Sequence, residues 1–256
     1  MVFYFSATGN SLYVARNLDA DTYSIPQEMK KNERRYKADR IGIVCPLFEF
    51  EVPDYVKDFI RSSVFDTEYF YMVITYGMHH GGVAERTAAF FENLGKQVDY
   101  INTIIMHDNA IIVFDMDEQR KLESEKKVDE HIAALKADIN AQKKMIQPTT
   151  TGEEKFYQGY VAMKKEKGPM YTFPLYKVTE ACVGCGTCTR ICPRGCIHLE
   201  DKRPVYNYSK CINCMACAQS CPKIAIKLAC VEEPNPNARY RNPNVTLADL
   251  ITSNHQ

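Results

Sequence analysis

The strongest constraint in this sequence is the crowding of its cysteines towards the C-terminal end. Of 11 cysteines, 10 lie between Cys182 and Cys230, and only Cys45 lies outside that segment. Eight of the ten form two copies of the pattern C-x2-C-x2-C-x3-C-P, and the second copy begins 29 residues after the first. An odd total does not suit a closed disulfide framework, and cysteines at such short spacings are typical of metal ligands. The segment is therefore expected to fold around a metal group.

The spacing within each copy predicts two [4Fe-4S] clusters. Two-residue gaps let a short loop wrap one face of a cubic cluster, and the fourth cysteine of each copy reaches across to the other cluster. The predicted ligands of cluster 1 are Cys182, Cys185, Cys188 and Cys221. The predicted ligands of cluster 2 are Cys211, Cys214, Cys217 and Cys192. A structural zinc site is the alternative, because paired C-x2-C motifs also bind zinc. Two complete runs, each ending in proline, favour iron–sulfur clusters.

Three cysteines stand outside this ligand set. Cys196 aligns with Ala225 when the two copies are superimposed, so a small buried thiol is favoured there over a ninth ligand. Cys45 ends an apolar run and is expected to be a buried structural thiol. Cys230 has no evident partner.

The thiol-poor half has the pattern of an α/β domain. Apolar, strand-like runs occupy residues 2–6, 22–25, 41–45, 69–76 and 101–106, and a further strand-like run occupies residues 111–114. Helical patterns separate them, and residues 117–146 read as one long amphipathic helix. Strands that alternate with helices indicate βαβ units and a parallel sheet covered on both faces. We predict a doubly wound, five-stranded parallel sheet, followed by a small α+β cluster domain.

A hydroxyl-rich turn follows the first strand and opens the first helix. Its candidate phosphate-binding residues are Ser6, Thr8, Gly9, Asn10 and Ser11. Free N–H groups at a helix N-terminus bind phosphate without a basic side chain, and this turn has none. The turn lacks the GK[ST] end of a Walker loop and the GxGxxG pattern of a nicotinamide site. The alternative is that its hydroxyls simply cap the helix.

Two later loops are expected to flank the same site, because ligands of such folds lie at the carboxyl ends of the strands. They combine aromatic residues, which cover a flat ring, with glycines, which let the backbone approach it. The candidates are Pro46, Leu47, Phe48 and Phe50 in one loop and Tyr76, Gly77, Gly81 and Gly82 in the other. These features suit a flavin. The alternatives are that the aromatic residues pack in the core and that the glycines belong to an ordinary loop.

With these motifs in place, the chain resembles the flavodoxin–ferredoxin fusion proteins of anaerobic bacteria and archaea. The resemblance implies a flavodoxin-like domain that binds FMN through the three loops, and a ferredoxin domain with two [4Fe-4S] clusters. It also adds residues 106–109 as a segment near the flavin, with Asn109 as a candidate contact. The implied division is residues 1–147 for the flavin domain, 148–171 for a helical connection, 172–231 for the cluster domain and 232–256 for a tail that packs back on the body.

Composition removes several functional classes. The chain has 256 residues, with 32 basic and 32 acidic side chains and a formal charge of zero, which argues against a nucleic-acid binder or a polybasic membrane protein. No apolar run approaches the ~18 residues of a membrane span. The first residues lack a charged leader and a cleavage site, so a cytoplasmic location is expected.

These features favour an electron carrier that relays low-potential electrons between the clusters and FMN. Its partners would be redox proteins whose identity the sequence does not reveal, and no NAD(P)H site is evident. One alternative is a flavin-dependent reductase of a small electrophile such as a quinone, oxygen or a nitro compound. Another is a cluster-bearing redox sensor without flavin. Whether the protein is an enzyme is left open.

Overall fold

Strands and helices alternate through the N-terminal part of the chain, as the hydrophobic pattern predicts. The structure, a computed structural model, describes residues 1–170 and 172–256; Tyr171, at the end of the expected connection, lies outside the described residues. The strands are β1 Val2–Tyr4, β2 Thr22–Ser24, β3 Arg35–Lys37, β4 Arg40–Pro46, β5 Val64–Asp66, β6 Tyr69–Tyr76, β7 Tyr100–Ile105, β8 Met145–Ile146, β9 Tyr176–Val178, β10 Ile197–Glu200, β11 Arg203–Tyr206 and β12 Ile226–Leu228. The α-helices are α1 Asn10–Leu18, α2 Ile25–Glu28, α3 Asp54–Ser62, α4 Val83–Asn93, α5 Met116–Lys121, α6 Val128–Asn140, α7 Thr151–Lys167, α8 Thr187–Ile191, α9 Ala216–Gln219 and α10 Leu247–Asn254. Short 3-10 helices lie at Ser124–Lys126 and Tyr208–Lys210.

A parallel sheet in the order β2-β1-β4-β6-β7-β8 forms the centre of this α/β part. Alternate strand residues face opposite sides, so Val2 and Tyr4 join one core with α1 and α6, while Phe3 joins another with α3 and α4. The chain moves outward from β1 to β2 and then returns to β4 on the other side of β1. This reversal opens a crevice at the carboxyl end of β1, where ligands of such sheets bind.

Two predictions about this sheet need correction. The sheet has six strands among the described residues, because Met145–Ile146 pairs with β7 at the edge. Residues 111–114 are not a strand; turns run through them, and the buried Ile111 packs among residues of the cysteine-rich part. Their apolar character serves a contact between the two parts of the chain. The predicted single helix over 117–146 is also wrong, because the chain is interrupted where Lys127 takes a positive φ of 45°. The range divides into α5, the 3-10 helix at Ser124–Lys126, α6 and strand β8.

The cysteine-rich part repeats one small α+β unit. Strand β9 pairs antiparallel with β12, and β10 pairs antiparallel with β11. One short helix, α8 or α9, lies within each copy of the cysteine pattern. Helix α7 precedes this part and has no fully buried residue.

The tail lies against the sheet and the cysteine-rich part. Helix α10 begins at a capping box in which Thr246 and Asp249 exchange hydrogen bonds. The helix contacts α2 and α8. Its end is tied to the first strand, because Tyr4 Oη and Ser253 Oγ are 2.7 Å apart and Asn254 donates to the carbonyl of Ser6 at 3.0 Å.

A buried ion pair in the tail provides a test of this packing. Arg239 lies 2.8 Å from Glu233, with side chains 7% and 2% exposed, and also donates to the carbonyls of Ala218 and Ile226. Arg239→Leu leaves the Glu233 charge buried and unpaired, at a cost of about 3–5 kcal/mol. We expect the thermal midpoint, followed by circular dichroism, to fall by roughly 10 °C. Arg16→Ala is the control, because its ion pair with Asp249 is partly exposed and worth about 0–1 kcal/mol. Equal midpoints for the two variants would contradict the prediction.

Candidate cluster sites and the adjoining cavity

The predicted ligands of cluster 1 surround one cavity. Its wall contains Cys182, Cys185, Cys188 and Cys221. The first two lie in a loop that turns through the positive φ angles of Gly184 and Gly186. A side chain at Gly184 would meet the Lys202 backbone at 2.9 Å, so the loop requires a glycine there. Cys188 follows on α8, and Cys221 comes from the second copy of the pattern.

The predicted ligands of cluster 2 surround a second cavity. Its wall contains Cys192, Cys211, Cys214 and Cys217, together with Tyr176 and Tyr206. Asn213 and Met215 take the positive φ angles that glycines take in the first copy. Each cavity therefore brings three thiols of one copy to the fourth thiol of the other. Burial raises the pKa of Cys188 to about 11 and raises the pKa values of Cys214 and Cys217, so metal must displace protons from these thiols when it binds.

The other three cysteines have different surroundings. Cys196 is buried, lines the second cavity and has its Sγ 3.2 Å from that of Cys192. Its N–H donates to Cys192 Sγ at 3.4 Å, and Ala225 N–H donates in the same way to Cys221 Sγ at 3.3 Å, which confirms the alignment of the two positions. Cys45 is fully buried, as predicted, and Cys230 is partly exposed. Over residues 1–170 and 172–256, no three His, Cys, Asp or Glu side chains are placed to hold a single metal ion.

A cavity of about 710 Å³ opens at the carboxyl ends of β1, β4 and β6. Such a volume is within the range of small-molecule sites. Eleven predicted residues line it: Ser6, Thr8, Asn10, Ser11, Pro46, Leu47, Phe48, Phe50, Tyr76, Gly77 and Asn109. Three predicted residues, Gly9, Gly81 and Gly82, are not in the wall. Gly9 packs instead against Asn242 and Val245 of the tail. Gly81 and Gly82 form the turn before α4 and lie against Phe50 and Thr149. Glycine is needed at these positions for the backbone of the turn, not for contact with a ligand.

The turn after β1 is buried and held by its neighbours. Ser6, Thr8 and Ser11 are at most 3% exposed. Thr8 Oγ1 accepts from Asn109 at 2.6 Å, and Ser11 Oγ lies 2.9 Å from Thr75 Oγ1. Gly9 precedes α1 with φ 104° and has no side chain that could cap the helix, but Ser6 Oγ accepts a hydrogen bond from the Gly9 N–H at 3.0 Å. One hydroxyl of the turn therefore binds the backbone where the helix starts, so helix capping remains an alternative to phosphate binding, and the positive end of α1 points to the loop.

Sequence reasoning placed residues 106–109 here only through the resemblance and did not single out His107 as a site residue. His107 lines the cavity, is 3% exposed, and neither ring nitrogen has a hydrogen-bond partner among the described residues. The carboxylate of Asp108 fills the space beside Gly77, 2.1 Å from where a side chain would begin. Lys126 holds the two loops together by donating to the carbonyls of Gly77 at 2.9 Å and Met106 at 2.6 Å. Both nitrogens of this buried imidazole are therefore available to a polar molecule bound in the cavity.

Helix α7, which the sequence predicted only as a connection, forms the outer wall of the cavity. Phe156, Tyr160 and Met163 lie there at helical spacing. The Phe50 ring packs 4.8 Å from Tyr160, and the His79 ring stacks 3.7 Å from Phe156. The apolar spacing at 156, 160 and 163 was the signal that could have identified this wall.

The large cavity and the cluster 2 cavity share part of their walls. Ile212, Cys214 and Met215 line both. The loop that carries a predicted cluster ligand is therefore also a wall of the larger cavity. A group bound in the larger cavity would lie next to that loop.

Burial sets the protonation of His107, with a consequence for stability. Burial, with Lys126 and Arg120 nearby, lowers the pKa of His107 to about 3. The unfolded imidazole titrates near pH 6.5, so the unfolded state takes up a proton that the folded state refuses, and stability falls as the pH drops below about 6.5. We expect this to amount to at most about 2 kcal/mol at pH 5. The midpoints of urea unfolding at pH 7 and pH 5 should differ less in His107→Gln than in the unchanged protein. The same pH dependence in both proteins would contradict this.

Comparison with known proteins supports the cluster sites. A family model described as a 4Fe-4S dicluster domain matches residues 174–222, which contain all eight cysteines of the repeated pattern. The C-terminal part therefore contains a 4Fe-4S dicluster domain, as predicted, and this indicates iron–sulfur electron transfer. No curated protein matches the chain. Among the described helices, none combines the length and apolar character needed to span a bilayer.

Proposed function

We propose that the protein is an electron-transfer iron–sulfur flavoprotein that relays low-potential electrons between two [4Fe-4S] clusters and FMN. The observation that carries this proposal is the wall shared by the two cavities, in which Cys214 faces both. A cluster held by Cys214 and an FMN in the larger cavity would be separated by little more than that loop. Such proximity suits electron transfer without a further carrier.

The residues around the larger cavity fit FMN. The positive N-terminal end of α1 and the buried hydroxyls of Ser6, Thr8 and Ser11 suit a phosphate group. Phe48 and Tyr76 offer aromatic surfaces to a flat ring, and Gly77 allows its backbone to approach. The unpartnered nitrogens of His107 would gain a hydrogen-bond partner. Bound FMN would supply a group that takes up one or two electrons.

The order of strands agrees with this proposal. Counted within the sheet, β2-β1-β4-β6-β7 has the order 2-1-3-4-5 of flavodoxin-like folds, and β8 adds an edge strand. FMN binds such folds at the switch point beside the first strand, and the hydroxyl-rich turn of this chain follows its first strand. We therefore assign residues 1–147 to a flavodoxin-like domain.

The chain would hold cluster 1 at the far side of cluster 2 from the flavin. The loop around cluster 1 reaches the surface, where Cys185 is exposed and Val183 is 59% exposed. The cluster 2 cavity is lined by the buried Tyr176 and the partly buried Tyr206, which would shield a cluster from water and lower the local dielectric. A redox partner protein would then exchange electrons at cluster 1, and cluster 2 would connect it with FMN.

The test is a reductive titration of the protein reconstituted without oxygen with FMN, iron and sulfide. About eight irons and one FMN per chain are expected. Electrons added to the clusters should appear on the flavin as a loss of its visible absorbance. Clusters that become reduced while no flavin is retained would overturn the relay and favour a cluster-bearing sensor.

A second candidate is a flavin-dependent reductase of a small electrophile. The outer wall formed by Phe156, Tyr160 and Met163 favours it, because it offers an apolar surface to a planar acceptor. Turnover of a quinone by the reduced protein, with no partner protein, would support this candidate. A rate that requires a partner protein would support the relay.

A further inference from the structure

The tail contacts the proposed phosphate-binding turn, residues 6–11, on the side that faces away from the cavity. Tyr240 Oη donates to Asn10 Oδ1 at 2.8 Å, and Asn242 N–H donates to the Thr8 carbonyl at 2.8 Å. Asn254 holds a third group of the turn, because it donates to the Ser6 carbonyl at 3.0 Å. The Tyr240 ring also lies flat on His107, with ring centroids 3.6 Å apart and planes 7° from parallel. Tyr240 itself is buried and is not in the cavity wall.

One glutamine connects this arrangement with the cluster domain. Gln219 ends α9, two residues after the predicted ligand Cys217. Its Oε1 accepts from the Tyr240 N–H at 2.8 Å, and its Nε2 donates to the Asn109 carbonyl at 2.7 Å. Asn109 in turn donates to Thr8 at 2.6 Å. Gln219 is 5% exposed, so both ends of its buried amide are used to hold the surroundings of the turn.

We infer that Tyr240 and Gln219 are positioning residues that give the flavin site its preference for a phosphorylated flavin. This inference rests on the proposed FMN site. Neither side chain lies in the cavity wall, and both act through Asn10, Asn109 and Thr8. A helix N-terminus and hydroxyls bind phosphate only when their groups converge at the correct spacing. The tail and α9 fix that spacing from two directions, so the cluster domain and the tail hold in place a turn that belongs to the sheet domain.

The experiment compares the binding of FMN and riboflavin, which differ only in the phosphate. Dissociation constants are measured by quenching of flavin fluorescence on the cluster-loaded full chain. Tyr240→Phe keeps the ring on His107 and removes the bond to Asn10; Gln219→Leu removes both bonds of the amide. We expect each variant to bind FMN about tenfold more weakly, because one or two buried hydrogen bonds are lost. Riboflavin affinity and iron content should not change. A merely structural defect would weaken both flavins.

The control is Thr246→Ala, which removes the capping box of the tail but no contact with the turn. It should keep the ratio of FMN to riboflavin affinity. If the unchanged protein prefers FMN but Tyr240→Phe and Gln219→Leu keep its ratio of FMN to riboflavin affinity, this inference is overturned. The proposed FMN site would not be affected by that result. Equal affinity of the unchanged protein for both flavins would overturn the inference as well, since no phosphate preference would exist. Binding of neither flavin would overturn the proposed function itself.

Discussion

Replacing Cys214 with alanine should remove about half of the iron, from about eight atoms per chain to about four, and should disconnect the flavin from the remaining cluster. Cys214 lies in the loop between the cluster 2 cavity and the larger cavity. Its loss takes one of four ligands from cluster 2 and leaves cluster 1 intact. Iron analysis and electron paramagnetic resonance of the reduced protein measure the first effect. The rate of flavin bleaching after the clusters are reduced measures the second.

The same measurements test the crosswise ligand sets. Cys221 belongs to the second copy of the pattern but lines the first cavity. Cys221→Ala should therefore leave the same remaining cluster signal as Cys185→Ala, and not the signal of Cys214→Ala. Cys230→Ala is the control and should keep all the iron, because Cys230 lies in neither cavity wall. A Cys221→Ala spectrum that matches Cys214→Ala would contradict the crosswise arrangement, and zinc in place of iron would contradict both clusters.

The grouping of the eight cysteines around two cavities was predictable because their spacing is local. A spacing of two or three residues restricts how far thiols can lie apart, so the pattern carries the geometry with it. Three strands were predictable for a related reason. Buried parallel strands are continuous apolar runs, and β1, β4 and β6 have that form.

The elements that sequence reasoning missed depend on distant contacts. Strand β8 has two residues, too few for any periodicity to appear. Residues 111–114 have the apolar character of a strand because Ile111 packs on the cysteine-rich part, not because they join the sheet. A single histidine carries no pattern, so His107 became visible only when the fold buried it beneath Tyr240. Likewise, three glycines that were predicted to line the cavity instead form turns or pack against the tail. The spacing of glycines in a sequence does not distinguish these roles from contact with a ligand.

Thr8→Asp should abolish FMN binding at micromolar concentration while riboflavin still binds. Thr8 lines the cavity, is 3% exposed and accepts a hydrogen bond from Asn109 at 2.6 Å. An aspartate accepts the same bond, so the turn keeps its conformation but gains a negative charge beside the proposed phosphate. Two charges about 5 Å apart repel by about 3 kcal/mol at an effective dielectric constant of 20. This repulsion corresponds to a roughly hundredfold increase in the dissociation constant of FMN.

Thr8→Asn is the matched control, because asparagine has the shape of aspartate without its charge. It should lose much less FMN affinity than Thr8→Asp, and both variants should keep their iron. The measurement is flavin fluorescence quenching at two salt concentrations, and the difference should persist at high salt because the site is buried. Equal FMN affinities in the two variants would place the phosphate elsewhere. A loss of riboflavin binding in Thr8→Asp alone would mean that the charge disturbs the ring site. The turn after β1 would then not be the phosphate site that the order of strands and the N-terminus of the first helix favour.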